Sequence, residues 1–490
     1  MMRNTLRLAA GLFILWSTML DAEPIRLHPR NPHYFLYHGK AVALITSGEH
    51  YGSVMNADFD YVKYLATLES EGLNYTRIFG GSYREVAGKS FGIRRNTLAP
   101  AEGKFLAPWA RSNMPGYAAG GNKFDLTKWD ANFFQRLRAF LSEADKRGIV
   151  VEITLFSSHY AEMQWAVSAL NAANNINGTD AVDWKALHTL GNGNLLARQE
   201  QYTRKLVREA NAFDNVIFEI QNEPWSDRPS LVDVINPYLP LPGRDTYPNS
   251  VEVADERSMA WQQRVKEWVR SEEARLPKKH LIAENYCNFR YPVQGIPQDV
   301  DMVNFHYAYP EAALLNLGIG KALAYDETGF LGQADDAYRR QAWNFMLSGG
   351  RTFDALDYSF SVGHEDGTDT APNGPGGGSP ALRHQLHFLA GFLQKLPLPE
   401  MAPDTHTVKH VAGAYARVLS SPRGVYAVYI DGDGPTGLAI ELPAGTYSGE
   451  WMNPATGQLQ SLESFSHPGG NKVVRAPNFQ NGIALRLTRR

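Results

Sequence analysis

Between residues 41 and 396 the chain alternates two textures. Short runs that are apolar on both faces, such as Val216-Ile217-Phe218 and Ala322-Leu323-Ala324-Tyr325, give way to stretches with large apolar residues every three or four positions. Phe133, Phe134, Leu137, Phe140 and Leu141 are one such set. The first texture predicts strands covered on both faces of a parallel sheet, and the second predicts helices with one face on that sheet. Strands are expected at Ala41–Thr46, Leu73–Phe79, Ile149–Phe156, Asn215–Asn222, His280–Tyr286, Met302–Tyr307, Ala322–Glu327 and Arg351–Tyr358. Helices are expected after Asn56 or Asp58, from Trp129 to Arg147, 196 to 212, 253 to 275, 335 to 347 and 380 to 396. Glycines 72, 148 and 349 stand where several of them should stop. This is the pattern of an α/β fold of the (β/α)8 TIM-barrel type, with a hairpin at His33–Lys40 as a lid beneath it.

From about 400 the helical periodicity stops. Short alternating runs at Tyr415–Leu419, Val425–Ile430, Leu438–Leu442, Gly449–Met452 and Ala484–Leu487 are separated by Ser-Pro, Asp-Gly and Pro-x-Thr-Gly turns. They predict a small all-β sandwich domain over 401–490, behind a barrel over 23–400.

A length of 490 residues suits a barrel plus one smaller module. The net charge of −3 gives no footing for nucleic acid or an anionic membrane. Residues 1–22 read as an export signal: Arg3 and Arg7 precede a run of about thirteen mostly apolar residues, too short for a membrane span. The expected destination is periplasmic or extracellular. Cys287 is the only cysteine, so no intramolecular disulfide can form. Loops over 80–125, 157–195 and 225–252 all follow strands on the same face, and exceed the length of structural connections.

The chemistry gathers at two strand ends. Asn222-Glu223-Pro224 follows one buried run, and Pro224 must break the ladder there. Glu327 ends a second and is followed by Thr328-Gly329. Two carboxyls at the C-terminal ends of parallel strands supply an acid and a nucleophile or base, as hydrolysis of a glycosidic bond requires. Carboxyls about 5 Å apart allow direct attack and retention, whereas a gap nearer 8 Å admits water and implies inversion. Asn-Glu-Pro after the fourth strand and a glutamate ending the seventh resemble the clan A glycoside hydrolases, cellulase-like retaining (β/α)8 enzymes, over roughly residues 25 to 400.

The resemblance implies Glu223 as acid/base, Glu327 as nucleophile, Asn222 on the sugar 2-OH, and Arg77 as the cation beside the nucleophile. It also implies a histidine and a tyrosine after the sixth strand. His306 fits, while the tyrosine falls to Tyr307 or Tyr309 because Ala308 holds the family's usual position. His159 corresponds to a substrate-binding histidine or is a solvated loop residue. Where the family often has a tryptophan after the eighth strand, this chain has Asp357 and Tyr358, which contact sugar or serve the structure. Glu49 and His50 are candidates for a nonreducing-end sugar, and Trp225 is a stacking platform or a loop-core residue. The expected partner is an oligosaccharide or polysaccharide with β-linkages. A non-catalytic carbohydrate-binding barrel and a transglycosylase remain the alternatives. No P-loop, HxH or HExxH occurs, so neither a cofactor nor a catalytic metal is expected.

Overall fold

The computed structural model describes residues 23–233, 250–288, 292–370 and 374–490. The expected export signal therefore lies outside the described residues, as does the middle of the 225–252 loop. No described helix is long and apolar enough to cross a membrane.

Eight parallel strands form the centre: β1 Leu44–Thr46, β2 Tyr75–Phe79, β3 Val150–Ser157, β4 Val216–Asn222, β5 Leu281–Asn288, β6 Met302–His306, β7 Ala322–Glu327 and β8 Thr352–Asp354. Each is hydrogen-bonded to the next from β2 through β8, and β8 pairs with β1. Described helices follow most strands: α1 Tyr61–Ser70, α2 Ala131–Lys146, α3 Leu195–Ala210, α4 Glu256–Glu273, α5 Pro310–Asn316, α6 Asp335–Leu347 and α7 Pro380–Gln394. Side-chain caps fix where several begin. Asp60, rather than Asn56 or Asp58, accepts from the Val62 and Lys63 amides at the start of α1, and Asp130 does the same for α2.

Between β1 and β2 no strand ladder closes the ring. Asn74 takes its place. Its backbone N–H donates to the Ile45 carbonyl at 3.1 Å. Its side-chain oxygen accepts from the Ile45 amide at 2.9 Å, and its Nδ2 donates to the Ala43 carbonyl at 2.9 Å. One asparagine thus supplies the donor and acceptor that a longer strand would have offered. Asn74→Ala should cost about 1–3 kcal/mol, since it strips two backbone groups of their partners. A denaturant titration with an unchanged midpoint would contradict this.

The expected first strand, Ala41–Thr46, is divided. Lys40–Val42 joins Arg26–His28 and Asn31–Tyr37 in a three-stranded antiparallel lid, and only Leu44–Thr46 enters the barrel. The lid buries Phe35 against the first residues of several barrel strands, including Tyr75, Val150 and Ala322, and so plugs the N-terminal end. Function is left to the opposite rim. Part of the long segment after β4 also differs from expectation. Pro229–Asp233 pairs antiparallel with Ser250–Ala254, which touches β5 through Val253 and Cys287, and α4 accordingly starts at Glu256.

Beyond residue 400, a six-stranded and a three-stranded antiparallel sheet enclose a second core around Val428, Leu438, Ile440, Trp451 and Leu485. Their outer face is continuous with the barrel core: Trp343 of α6 stacks on Tyr429 at 5.4 Å, and Arg340 pairs with Asp431 at 2.7 Å. In the Trp-x-Asn-Pro-x-Thr-Gly turn, Asn453 Oδ1 accepts from the Ala455 amide at 2.9 Å. Gly457 there has φ 68°, and a Cβ would lie 2.4 Å from the Phe388 ring of α7, so the turn rests directly on the barrel.

Candidate active site

The C-terminal rim surrounds a cavity with about 410 Å³ of open space. Both glutamates line it. Oxygens of Glu223 and Glu327 and a ring nitrogen of His306 all lie within 4.8 Å of one another.

Glu327 closes β7 and is gripped from three sides. Tyr307 Oη donates to its Oε1 at 2.7 Å, and Tyr51 Oη donates to its Oε2 at 2.9 Å. Arg77 Nη1 donates to the same Oε2 at 3.3 Å. Burial raises the carboxyl's pKa and the neighbouring Glu223 adds to the rise, while His306, Arg77 and the Tyr307 hydrogen bond oppose it. Every donor aimed at it favours the anion.

Glu223 lies one residue past the end of β4 with φ 46°, a left-handed conformation that is uncommon for a residue bearing a side chain. Both sides of its peptide are pinned. Its N–H donates to Asn285 Oδ1 at 3.0 Å, and its carbonyl accepts from Ser158 Oγ at 2.7 Å. Such strain persists only where the surroundings impose it. Its Oε1 lies 2.8 Å from His306 Nδ1, and Tyr160 hydrogen-bonds the same carboxyl.

Arg77, fully buried on β2, ties the pieces together. It donates to Glu219 Oε2 at 2.5 Å, to Asn222 Oδ1 at 2.7 Å and to Glu327, beneath the Tyr51 ring. Burial pulls its pKa down, but Glu219, Asp326, Tyr51 and Glu327 together hold it well above the ordinary value. Because arginine only donates, it fixes the Asn222 amide with oxygen inward. Asn222 Nδ2 then donates to Tyr160 Oη at 2.6 Å at the cavity wall.

Tyr307, not the partly exposed Tyr309, meets Glu327. His50 and Tyr358 also line the cavity, their rings 5.7 Å apart. The backbone of Gly374 and Gly376 lies so close to the Tyr358 ring that Cβ atoms there would approach it to 2.5 and 2.9 Å. That loop presses Tyr358 toward the cavity.

Four of the candidate side chains do not line the cavity: Glu49 and His159 against expectation, Trp225 and Asp357 in the structural one of their two expected roles. Glu49 does not face sugar; it is fully buried and closes its own turn, accepting from the Gly52 amide at 3.1 Å, the Ser53 amide at 2.8 Å and Thr97 Oγ1 at 2.6 Å. The turn it holds is what delivers Tyr51, at φ 60°, to Glu327. Trp225 is 1% exposed and sits edge-on to His306 at 5.7 Å, so it packs the ring instead of offering a platform. Asp357 is tied to Arg383 at 2.7 Å and Ser47 at 2.9 Å, behind the wall. His159 is buried among Tyr83, Trp165 and His188, where burial and then His188 drive its pKa well down.

Residues from the loops complete the walls. Tyr51 stands immediately after the Gly-Glu-His run. Tyr83, Glu85 and Tyr160 come from the long loops, where only the loop length signalled a function. Burial lifts the Glu85 carboxyl to about 7, against hydrogen bonds from Asn96 and Tyr83.

Under the cavity the barrel interior holds Glu152, Glu219, Asp326 and Asp354, all fully buried. Asn304 Nδ2 bridges Glu152, Glu219 and Asp326 at 2.7–3.0 Å. Glu219–His306–Asp326 and Glu223–His306–Glu327 both have the spacing of metal ligands. Both depend on His306, whose pKa burial lowers but Glu327 and Asp326 raise, to well above the ordinary value. A metal-bound histidine must be neutral, so an ion in either group would have to displace the ring's added proton.

Burial pushes the Asp354 carboxyl up to about 8 against the pull of the Gly48 amide, which donates to it at 2.9 Å. The folded protein therefore keeps a proton that the unfolded chain releases above its ordinary value of 3.8, and stability should fall as pH rises from there through about 8. Asp354→Asn should flatten that part of a melting-temperature profile between pH 5 and 9. Parallel profiles for the two proteins would refute the assignment.

No protein-family model and no curated protein sequence matches the chain. Solved structures do. A protein described as a glycoside hydrolase superposes with a TM-score of 0.61 over 96% of this chain and 97% of its own, at 11% identity. A glycoside hydrolase family 5 protein from Bacteroides vulgatus gives 0.61 over 95% and 93%, also at 11% identity. The likeness is one of fold: a parallel eight-stranded barrel with C-terminal antiparallel sheets, shared from end to end.

Proposed function

We propose that this chain is an exported retaining glycoside hydrolase acting on β-linked glycans or oligosaccharides, with Glu223 as acid/base and Glu327 as nucleophile. The observation that carries the reading is the approach of the two carboxyls within 4.8 Å across an open cavity. A separation of this order suits direct displacement, whereas an inverting pair stands further apart to admit water beside the sugar. The glycoside hydrolase fold of the structural neighbours supports the same reading, and the antiparallel module over 401–490 serves as a brace for the barrel.

Glu327 attacks the anomeric carbon as the departing oxygen takes a proton from Glu223, and a glycosyl ester forms on Glu327. His306 Nδ1, 2.8 Å from Glu223 Oε1, orients that carboxyl for the proton transfer. Water, deprotonated by Glu223, then attacks the ester and releases the sugar with retained configuration. Asn222 Nδ2 stands to donate to the 2-OH. The cavity is walled by Tyr83, Glu85, Phe91 and Leu98 of one loop and by Tyr160 of another, which suits removal of terminal residues over cleavage within a polymer.

A 2-deoxy-2-fluoro β-glycoside with a dinitrophenolate leaving group should label the peptide containing Glu327, as read by mass spectrometry. Label on another carboxylate, or steady turnover with no label, would overturn the proposal.

A further inference from the structure

Two bulky residues at the mouth of the cavity adopt backbone conformations that only glycine takes without cost. Phe91 has φ 50° and Phe330 has φ 61°. Both line the cavity, and both are solvent-exposed, at 43% and 61%. An exposed phenylalanine alone needs no explanation. A strained one at a functional mouth does, since the left-handed region costs of order 1–3 kcal/mol and must be held by its surroundings. Phe330 is held by its amide, which donates to the Pro375 carbonyl at 2.7 Å.

Their positions relative to the carboxyls match. Phe91 stands edge-on to Tyr160 at 5.0 Å, and Tyr160 hydrogen-bonds Glu223. Phe330 stands edge-on to Tyr307 at 5.2 Å, and Tyr307 hydrogen-bonds Glu327. Each phenylalanine is therefore one ring outward from one reacting carboxyl. Both rings line the mouth through which a leaving group reaches solvent.

Resting on the hydrolase reading above, we infer that Phe91 and Phe330 form a clamp for the leaving group, and that the substrate carries a ring with an apolar face on that side of the scissile bond. An aromatic aglycone and the C–H face of a pyranose share this chemistry. Nothing charged lies on Phe91 or Phe330 themselves, so the clamp reads shape and apolar surface.

The test compares leaving groups with and without a ring. Wild type, Phe91→Ala, Phe330→Ala and the double variant are assayed on 4-nitrophenyl β-glycosides of glucose, mannose, galactose and xylose, on the corresponding β-disaccharides, and on glycosyl fluorides of the configuration each sugar requires. Each substitution should lower kcat/KM for ringed leaving groups roughly 2- to 12-fold, the worth of one aromatic contact. The fluorides, which have no ring to hold, should be unaffected. Loss on the nitrophenyl substrates alone assigns the clamp to aromatic aglycones, and loss on disaccharides as well assigns it to sugars.

Phe91→Gly and Phe330→Gly guard against damage to the fold. They relieve the strained φ, so their melting temperatures should hold or rise while leaving-group preference is lost. Equal loss on fluoride and ringed substrates, or no loss on any ringed substrate, overturns the clamp while Glu327 labelling still stands. Absence of wild-type turnover on every probe together with absence of labelling removes the hydrolase reading, and the clamp with it.

Discussion

Glu327→Ala should lower kcat for an activated dinitrophenyl β-glycoside by roughly 10⁴- to 10⁶-fold, the range seen when a covalent nucleophile is removed. The substitution leaves a space where a carboxylate stood between Tyr51, Tyr307 and Arg77. Three donors still converge there, so a small anion should occupy it. Added formate or azide is expected to restore part of the rate. Azide entering from that side attacks the face opposite the leaving group and gives an inverted glycosyl azide. Glu223→Ala behaves differently: azide then intercepts the ester on Glu327 and gives the retained product. The two product configurations, read by NMR, assign the roles. Inversion from the Glu223 variant, or retention from the Glu327 variant, would exchange or abolish them.

The second large effect is expected at Arg77. Removing one partner of a buried, hydrogen-bonded ion cluster leaves the remaining charges without compensation and costs about 3–5 kcal/mol. Arg77 answers Glu219, Asp326 and Glu327 at once, with both ends of its principal pairs fully or nearly buried. Arg77→Met should therefore destabilise the barrel and stop turnover together, since it also releases Asn222.

The loss should depend on pH. Without the guanidinium, burial raises the Glu327 carboxyl further above its unfolded value, so the folded variant retains a proton that the unfolded chain gives up. The deficit is smallest below about 4.5, the ordinary value for Glu327, and grows as pH rises. Urea midpoints for wild type and variant at pH 5 and pH 8 would check this. An equal gap at both would show that the cluster is neutral in the native protein and does not need the cation.

How far the sequence foretold this arrangement depends on which interactions are local. Barrel strands were legible because two-sided burial leaves continuous apolar runs, as in β4, where every position is buried. Glu223 and Glu327 were legible for the same reason, each an acid where such a run breaks. The hairpin of Pro229–Asp233 with Ser250–Ala254 was not, since its pairing joins segments about twenty residues apart with prolines between them. The strand at Leu459–His467 was also missed, because its residues are mostly exposed and give no alternation. At the site, Glu49 misled because a carboxylate that closes a turn looks, in one dimension, like one that greets a ligand. Tyr51, Tyr160 and Glu85 were hidden because loop closure, which no periodicity encodes, brings them to the cavity.

The seam stitched by Asn74 bears on how this protein would wear out. Ladder bonds hold the other strand junctions, but here Asn74 and one bond from the Phe79 amide to the Tyr51 carbonyl span the join, and the turn that carries Tyr51 leaves from the strand beside it. Under heat or denaturant this junction is placed to part first, drawing one phenol away from Glu327 while most of the barrel stays assembled. Such a molecule would fall silent as a catalyst before it lost its shape.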